Sequence, residues 1–264
     1  LYYSGRASHF AEGSWGMIRV LDKKDPGLQT LPSREEIPQS AKDVCPSDAP
    51  VKNFTVSAID YAMKFNKGVP EAMEVDLGRN LKLGNPSGKA YLLDDEVTKV
   101  KAGSLRPNPL TLRVNVGDCI KIKLTNRMAK DRAGLHADML AFDPKDSMGI
   151  NVGNNPGDQT IGPGDSKVYT FYAHPEYREY AALIQDWGNL VENPRNGLYG
   201  AIIIGPKGSR YRNPETGEDV TMKNAWQADV IVDRTIPGNE DKQNYRDAAL
   251  LFQDEDNLMG TSFM

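Results

Sequence analysis

Residues 110–124 read LTLRVNVGDCIKIKL, and this stretch decides the fold class. Leu110, Leu112, Val114 and Val116 alternate with Thr111, Arg113 and Asn115, and after Gly117-Asp118 the residues Ile120, Ile122 and Leu124 alternate with Lys121 and Lys123. A period of two gives a strand one apolar and one polar face. Glycine followed by aspartate is turn chemistry, so a tight bend joins the two runs. Each strand is expected to lie on one sheet of a β-sandwich.

Working outward, similar short runs recur at 51–63 (VKNFTVSAIDYAM), 90–93, 167–173 (KVYTFYA), 181–185, 198–204 (LYGAIII) and 228–232. The run 245–253 (YRDAALLFQ) fits either a helical turn or a buried strand by periodicity alone. Between the strands the chain carries 24 glycines and 17 prolines in 264 residues, which leaves little room for long helices. The reading is all-β, a β-sandwich. Residues 22–50 hold five prolines and many charges and read as a linker, and residues 126–166 are loop-rich. Loops of that length inside a compact sandwich generally bind or dock something.

Composition removes several function classes. No apolar run approaches the ~18 residues of a spanning helix, so no membrane span is expected. With 32 basic and 36 acidic residues, net charge −4, and neither sign gathered into a block, no nucleic-acid partner is expected either. The glycine-rich run 149–164 lacks Gly-Lys-Ser/Thr and leads into no helical pattern, which argues against a phosphate cradle. Asn53-Phe54-Thr55 is a glycosylation acceptor only in a eukaryotic secretory setting. None of the three histidines, His9, His136 and His174, sits in the surroundings of a hydrolytic triad. The sequence opens at Leu1 with no initiator methionine and no leader-like run, which suggests a processed product or a piece of something longer.

Three stretches carry a family resemblance. Residues 110–126 look like the early strand pair of the cupredoxin domains of multicopper oxidases, and 163–171 (PGDSKVYTF) look like that family's strand-entry pattern. Residues 197–204 (GLYGAIII) resemble the strand that closes such a domain. The likeness extends to large bacterial multicopper oxidases, manganese-oxidising ones among them, which string cupredoxin domains together as ceruloplasmin does. It implies a Greek-key β-sandwich and five portions: 1–21 as the C-terminal strand region of a preceding cupredoxin domain, 22–50 as linker, and 51–206 as one complete domain. Residues 207–243 would then connect to the start of a following domain at 244–264, which favours a strand for 245–253.

The resemblance also implies copper ligands, and most are missing. A type 1 site needs two imidazoles, a thiolate and a weak axial thioether. The family's closing-strand pattern, His-Cys-His-Ile-x-x-His-x-x-x-Gly-Met, falls on Tyr3, Ser4, Gly5, Arg6, His9, Gly13 and Ser14, of which only His9 and Gly13 agree. A serine hydroxyl is protonated at neutral pH and does not replace a thiolate. The first His-x-His pair of a trinuclear site falls on His136 and Asp138, and the second falls near Gln185-Asp186-Trp187-Gly188-Asn189, which has no histidine. The metal candidates are therefore His9, His136 and Asp138. A hard ion such as Mn²⁺ or Ca²⁺ would instead use Asp138, Asp143 or Asp186 with carbonyls and water. His174 lacks a spaced partner.

Cys45 lies on the approach to the domain and Cys119 on its second strand, and they are either a disulfide or two buried thiols. Two functions follow from the resemblance. One is a portion of a copper-dependent oxidase that uses O₂ on metal ions such as Mn(II) or on small reductants. Copper would then sit elsewhere in the full-length protein, with none held by this segment alone, which would act as a scaffold beside neighbouring cupredoxin domains of the same or an associated chain. The other is a non-catalytic cupredoxin-like module of an extracellular assembly. Either implies an extracellular, periplasmic or cell-surface setting.

Overall fold

The computed structural model describes residues 2–3, 15–16, 22–23, 26–27, 44–64, 84–151, 158–189 and 192–252. The chain divides into two compact units, Leu1–Gln39 and Ser40–Met264. In the first, β1 (Tyr2–Tyr3) pairs antiparallel with β2 (Trp15–Gly16). His9, with Ser4, Gly5, Gly13 and Ser14 around it, lies outside the described residues.

The second unit is a β-sandwich. Its strands are β3 (Val51–Asp60), β4 (Met63–Lys64), β5 (Gly84–Asn85), β6 (Lys89–Leu93), β7 (Leu110–Asn115), β8 (Cys119–Asn126), β9 (His136–Ala137) and β10 (Ala141–Phe142), then β11 (Ser166–Tyr172), β12 (Tyr180–Gln185) and β13 (Tyr199–Gly205). One sheet runs β10-β11-β8-β3-β6 and the other β7-β13-β12-β9, while β4 and β5 form a separate pair. Two pairings are parallel, β3 with β8 and β7 with β13. A parallel neighbour cannot be reached by a hairpin. The chain must therefore cross between the sheets, as the Gly117-Asp118 bend does. It carries the chain from β7 in one sheet to β8 in the other rather than closing a hairpin.

The alternation seen in the sequence builds the core. Phe54, Val56, Leu112, Val114, Ile120, Ile122, Tyr169, Phe171, Ile184 and Ile202 form one buried cluster between the sheets. A smaller cluster lies where α1 (Asp94–Lys101) packs Val97 and Val100 against Ile59 and Leu92. That helix opens with Asp94, Asp95 and Glu96 and closes with Lys99 and Lys101, the charge order its dipole favours. Glu96 also accepts the Leu93 amide at 3.2 Å.

The polar face of β7 departs from the expectation of a solvated side. All six of its residues are buried. Over it lies a third sheet, β14 (Arg210–Arg212), β15 (Gln227–Ile231) and β16 (Tyr245–Ala248), with its own core of Tyr211, Val220, Ala228 and Val230. Each polar residue of β7 meets that cover. The Thr111 amide donates to Asn224 Oδ1 at 2.9 Å, Arg113 Nε donates to the Ala225 carbonyl at 3.0 Å, and Asn115 Nδ2 donates to the Ser209 carbonyl at 3.0 Å. Tyr211 donates to the Val114 carbonyl at 2.6 Å. Residues 207–243, expected as a connection, thus contain two strands of this sheet.

Candidate functional site

β9 is two residues long and pairs with the end of β12, His136 opposite Gln185. Asp138 opens the turn that follows the strand, and His136 Nε2 lies 3.4 Å from its Oδ1. The other ring nitrogen, Nδ1, is 2.9 Å from the Met148 carbonyl. A carbonyl only accepts, so Nδ1 carries the proton and Nε2 is the one nitrogen left for a ligand or a second proton. Trp187 stacks on the imidazole at 3.5 Å between centroids and 7° between planes, and Phe142 meets it edge-on at 5.3 Å. His136 is packed as an aromatic residue.

Asp186 follows β12 directly and is fully buried. Its Oδ2 accepts the Gly134 amide at 2.8 Å and the Tyr91 hydroxyl at 3.2 Å, and its Oδ1 accepts the Asn189 amide and Asn193 Nδ2, both at 3.0 Å. Four donors occupy both oxygens, so the carboxylate ties β6, the loop at Gly134 and the segment 189–193 together. Backbone closes on backbone around it. A Cβ on Gly188 would lie 2.5 Å from the Ala133 carbonyl carbon and 2.7 Å from the Gly134 nitrogen, and a Cβ on Gly134 would strike the Gly149 carbonyl oxygen. Only glycine permits that approach.

Burial pushes the Asp186 carboxyl above the usual carboxylate range, with its four donors pulling the other way. The folded protein therefore holds this proton more tightly than the unfolded chain does. Its contribution makes stability fall as pH climbs from about 3.9 through the raised folded value. Asp186→Asn removes that titration and turns an amide NH2 toward two of the existing donors, at about 1–3 kcal/mol. Urea unfolding of both proteins from acid to neutral pH should show the parent's advantage shrinking as pH rises through that window. A constant gap would remove Asp186 as the titrating group.

The remaining candidates do not converge here. Asp143 borders a cavity of about 350 Å³ beside Cys45 and Cys119. His174 caps a 3₁₀ turn, Pro175–Tyr177, its Nδ1 accepting the Glu176 amide at 3.2 Å. Cys45 and Cys119 form a disulfide, with Cα atoms 5.6 Å apart. Among the described residues no three His, Cys, Asp or Glu side chains gather as a metal group would require.

Copper does not fit this donor set. One imidazole nitrogen and one carboxylate face each other, the neighbouring carboxylate is saturated by hydrogen bonds, and no thiolate is free because both cysteines are bonded to one another. What sequence reasoning missed is the filling itself: the Trp187 stack, the Tyr91 hydroxyl and the Gly134–Gly188 approach. Gly134, two residues before His136, and Gly188, next to Trp187, are the sequence signal that could have found the close approach.

No family model matches the chain, and no curated protein matches it. Solved structures similar to it include a multi-copper oxidase from Pseudomonas thermotolerans, at 14% identity over 60% of this chain and 30% of that one, with a TM-score of 0.42. A copper nitrite reductase from Nitrosomonas europaea matches at 19% over 60% of this chain and 42% of that one, TM-score 0.38. A further multicopper oxidase matches at 22% over 69% and 50%, TM-score 0.40. The chain spans half or less of the length of each.

Proposed function

We propose that this chain is a structural portion of a larger cupredoxin-type oxidoreductase, one whose own ligand positions have been converted into packing. The full protein would use copper to pass electrons from Mn(II) or a small reductant to O₂, and this portion would space and brace the domains that hold the metal. The observation that carries the reading is the filled site. Where the family resemblance calls for two His-x-His pairs, a tryptophan covers the lone imidazole and a buried carboxylate accepts hydrogen bonds from Gly134, Tyr91, Asn189 and Asn193.

Neighbouring cupredoxin domains, of the same or an associated chain, are the proposed partners. The outer face of β12 and β13 supports this. Ala181, Leu183, Tyr199 and Ala201 form a groove of about 230 Å³ with Leu250–Phe252. Close by in the fold Met139 is 62% exposed and Phe252 90% exposed, surface that a packed neighbour would cover. An extracellular or periplasmic setting belongs to the same proposal and suits the disulfide.

Metal analysis of the purified 264-residue chain after loading with copper, together with its visible spectrum, tests the reading. The expected result is substoichiometric copper after desalting and no intense thiolate-to-copper band. One tightly held copper per chain, bound by side chains of the described residues, would falsify it.

A further inference from the structure

We propose that a recess at one end of the sandwich binds a small aromatic anion, of which benzoate is the simplest member. The recess has a volume of about 320 Å³ and is bordered by the start of β6, residues 106–109 ahead of β7, and the start of β13. That volume suits one substituted ring and excludes a dinucleotide or an oligosaccharide.

Charge argues for an anion. The chain as a whole carries −4, yet the recess is bordered by Lys89 and Arg106 and by no carboxylate. The Lys89 side chain is 7% exposed and its Nζ is held by Asp131 at 2.8 Å, so that charge is already balanced. Arg106 is exposed and has no ion-pair partner among the described residues. It is the uncompensated cation, and its planar fork matches a carboxylate in two-point contact.

The walls argue for a flat ring. Tyr61 and Tyr199, both half-buried, stand with Pro107 and Pro109 around the same space. Tyr91 closes it on the inner side. Its ring is buried in the core and its hydroxyl is committed to the Gly134 carbonyl at 2.6 Å and to Asp186, so it forms a fixed floor and the aromatic walls are Tyr61 and Tyr199. Faces of this kind favour stacked or edge-on aromatic contacts, and a guanidinium beside a ring adds to them. Inorganic phosphate would satisfy Arg106 but leave these walls unmatched. The recess uses none of the residues that stand at the copper-ligand positions, so the proposal does not depend on the scaffold reading.

Calorimetric titration of the 264-residue chain with sodium benzoate, cyclohexanecarboxylate, benzyl alcohol and inorganic phosphate, at matched ionic strength, tests it. Benzoate should bind saturably with a Kd on the order of 1 mM, as befits so small a ligand. Cyclohexanecarboxylate and benzyl alcohol should each bind about tenfold more weakly, having lost the ring face or the charge. Arg106→Gln, at an exposed position that leaves the fold intact, should weaken benzoate about tenfold, and Arg106→Lys should restore part of the loss. No saturable benzoate binding, an Arg106→Gln variant that binds unchanged, or phosphate binding as tightly as benzoate would each overturn the proposal.

Discussion

Asp247→Ala destabilises the protein by about 3–5 kcal/mol, because it strands a buried guanidinium. Arg113 is fully buried on β7, and its Nη1 lies 2.6 Å from Asp247 Oδ1 on β16. Their contact is an ion pair rather than an aligned hydrogen bond: both Nη atoms of Arg113 and Oδ1 of Asp247 lack an aligned partner, while Nε is satisfied by the Ala225 carbonyl. The Tyr211 ring, 5.5 Å from the guanidinium carbon, adds a weaker attraction. The charge therefore depends on Asp247.

The two partners should respond unequally. Asp247 is 25% exposed in its side chain and can reach water when Arg113 is removed. Arg113→Met keeps much of the volume and leaves no buried charge, so it should cost about 1–2 kcal/mol, less than Asp247→Ala. Replacing both, Arg113→Met with Asp247→Leu, should come close to the parent. Equilibrium urea unfolding of the three variants measures this. A loss below about 1 kcal/mol for Asp247→Ala would mean that water reaches Arg113 and that the third sheet is not clamped through this pair.

The buried pair also marks where the sequence stops being informative. The strands of the sandwich were legible at 110–115 and 119–124 because apolar and polar residues alternate there over a run long enough to show the period, while 167–173 and 198–204 stood out as short β-branched and aromatic runs. The polar positions of β7 follow the same alternation, yet Thr111, Arg113 and Asn115 are buried because strands 95 or more residues later in the chain lie over them. A local pattern cannot carry that. Helix α1 was missed for a different reason: DDEVTKVK offers only Val97 and Val100 to a core, too few to set a period of 3.6. At the site, the pairing of His136 with Asp138 was readable from their spacing of two. The Trp187 stack and the Tyr91–Asp186 bond were not, since they join positions that only the fold brings together. The recess beside Arg106 draws on four separate segments and left no trace in the sequence.

Removing the disulfide, by Cys45→Ala with Cys119→Ala, should lower stability by about 4 kcal/mol and the melting temperature by about 10 °C. The stabilisation is one of chain entropy. The bond spans 74 residues and closes a loop that contains β3 and β7 and ends at the first residue of β8. Opening it returns that freedom to the unfolded chain. Its position sharpens the effect. Val51 opens β3 directly opposite Cys119 in the parallel β3–β8 pair, and the Cys119 amide donates to the Pro50 carbonyl at 2.8 Å. This pair lies at the centre of the five-stranded sheet and joins residues far apart in sequence, so closing it is a slow, entropy-limited step. The crosslink brings the two strands together before any sheet exists. Its loss should therefore appear mainly as slower folding, with the unfolding rate little changed. Stopped-flow refolding and unfolding of the double variant, beside the parent with and without reductant, separates the two rates. Equal acceleration of unfolding would mean that the bond acts by holding the native segment 44–50 in place rather than by restricting the unfolded chain.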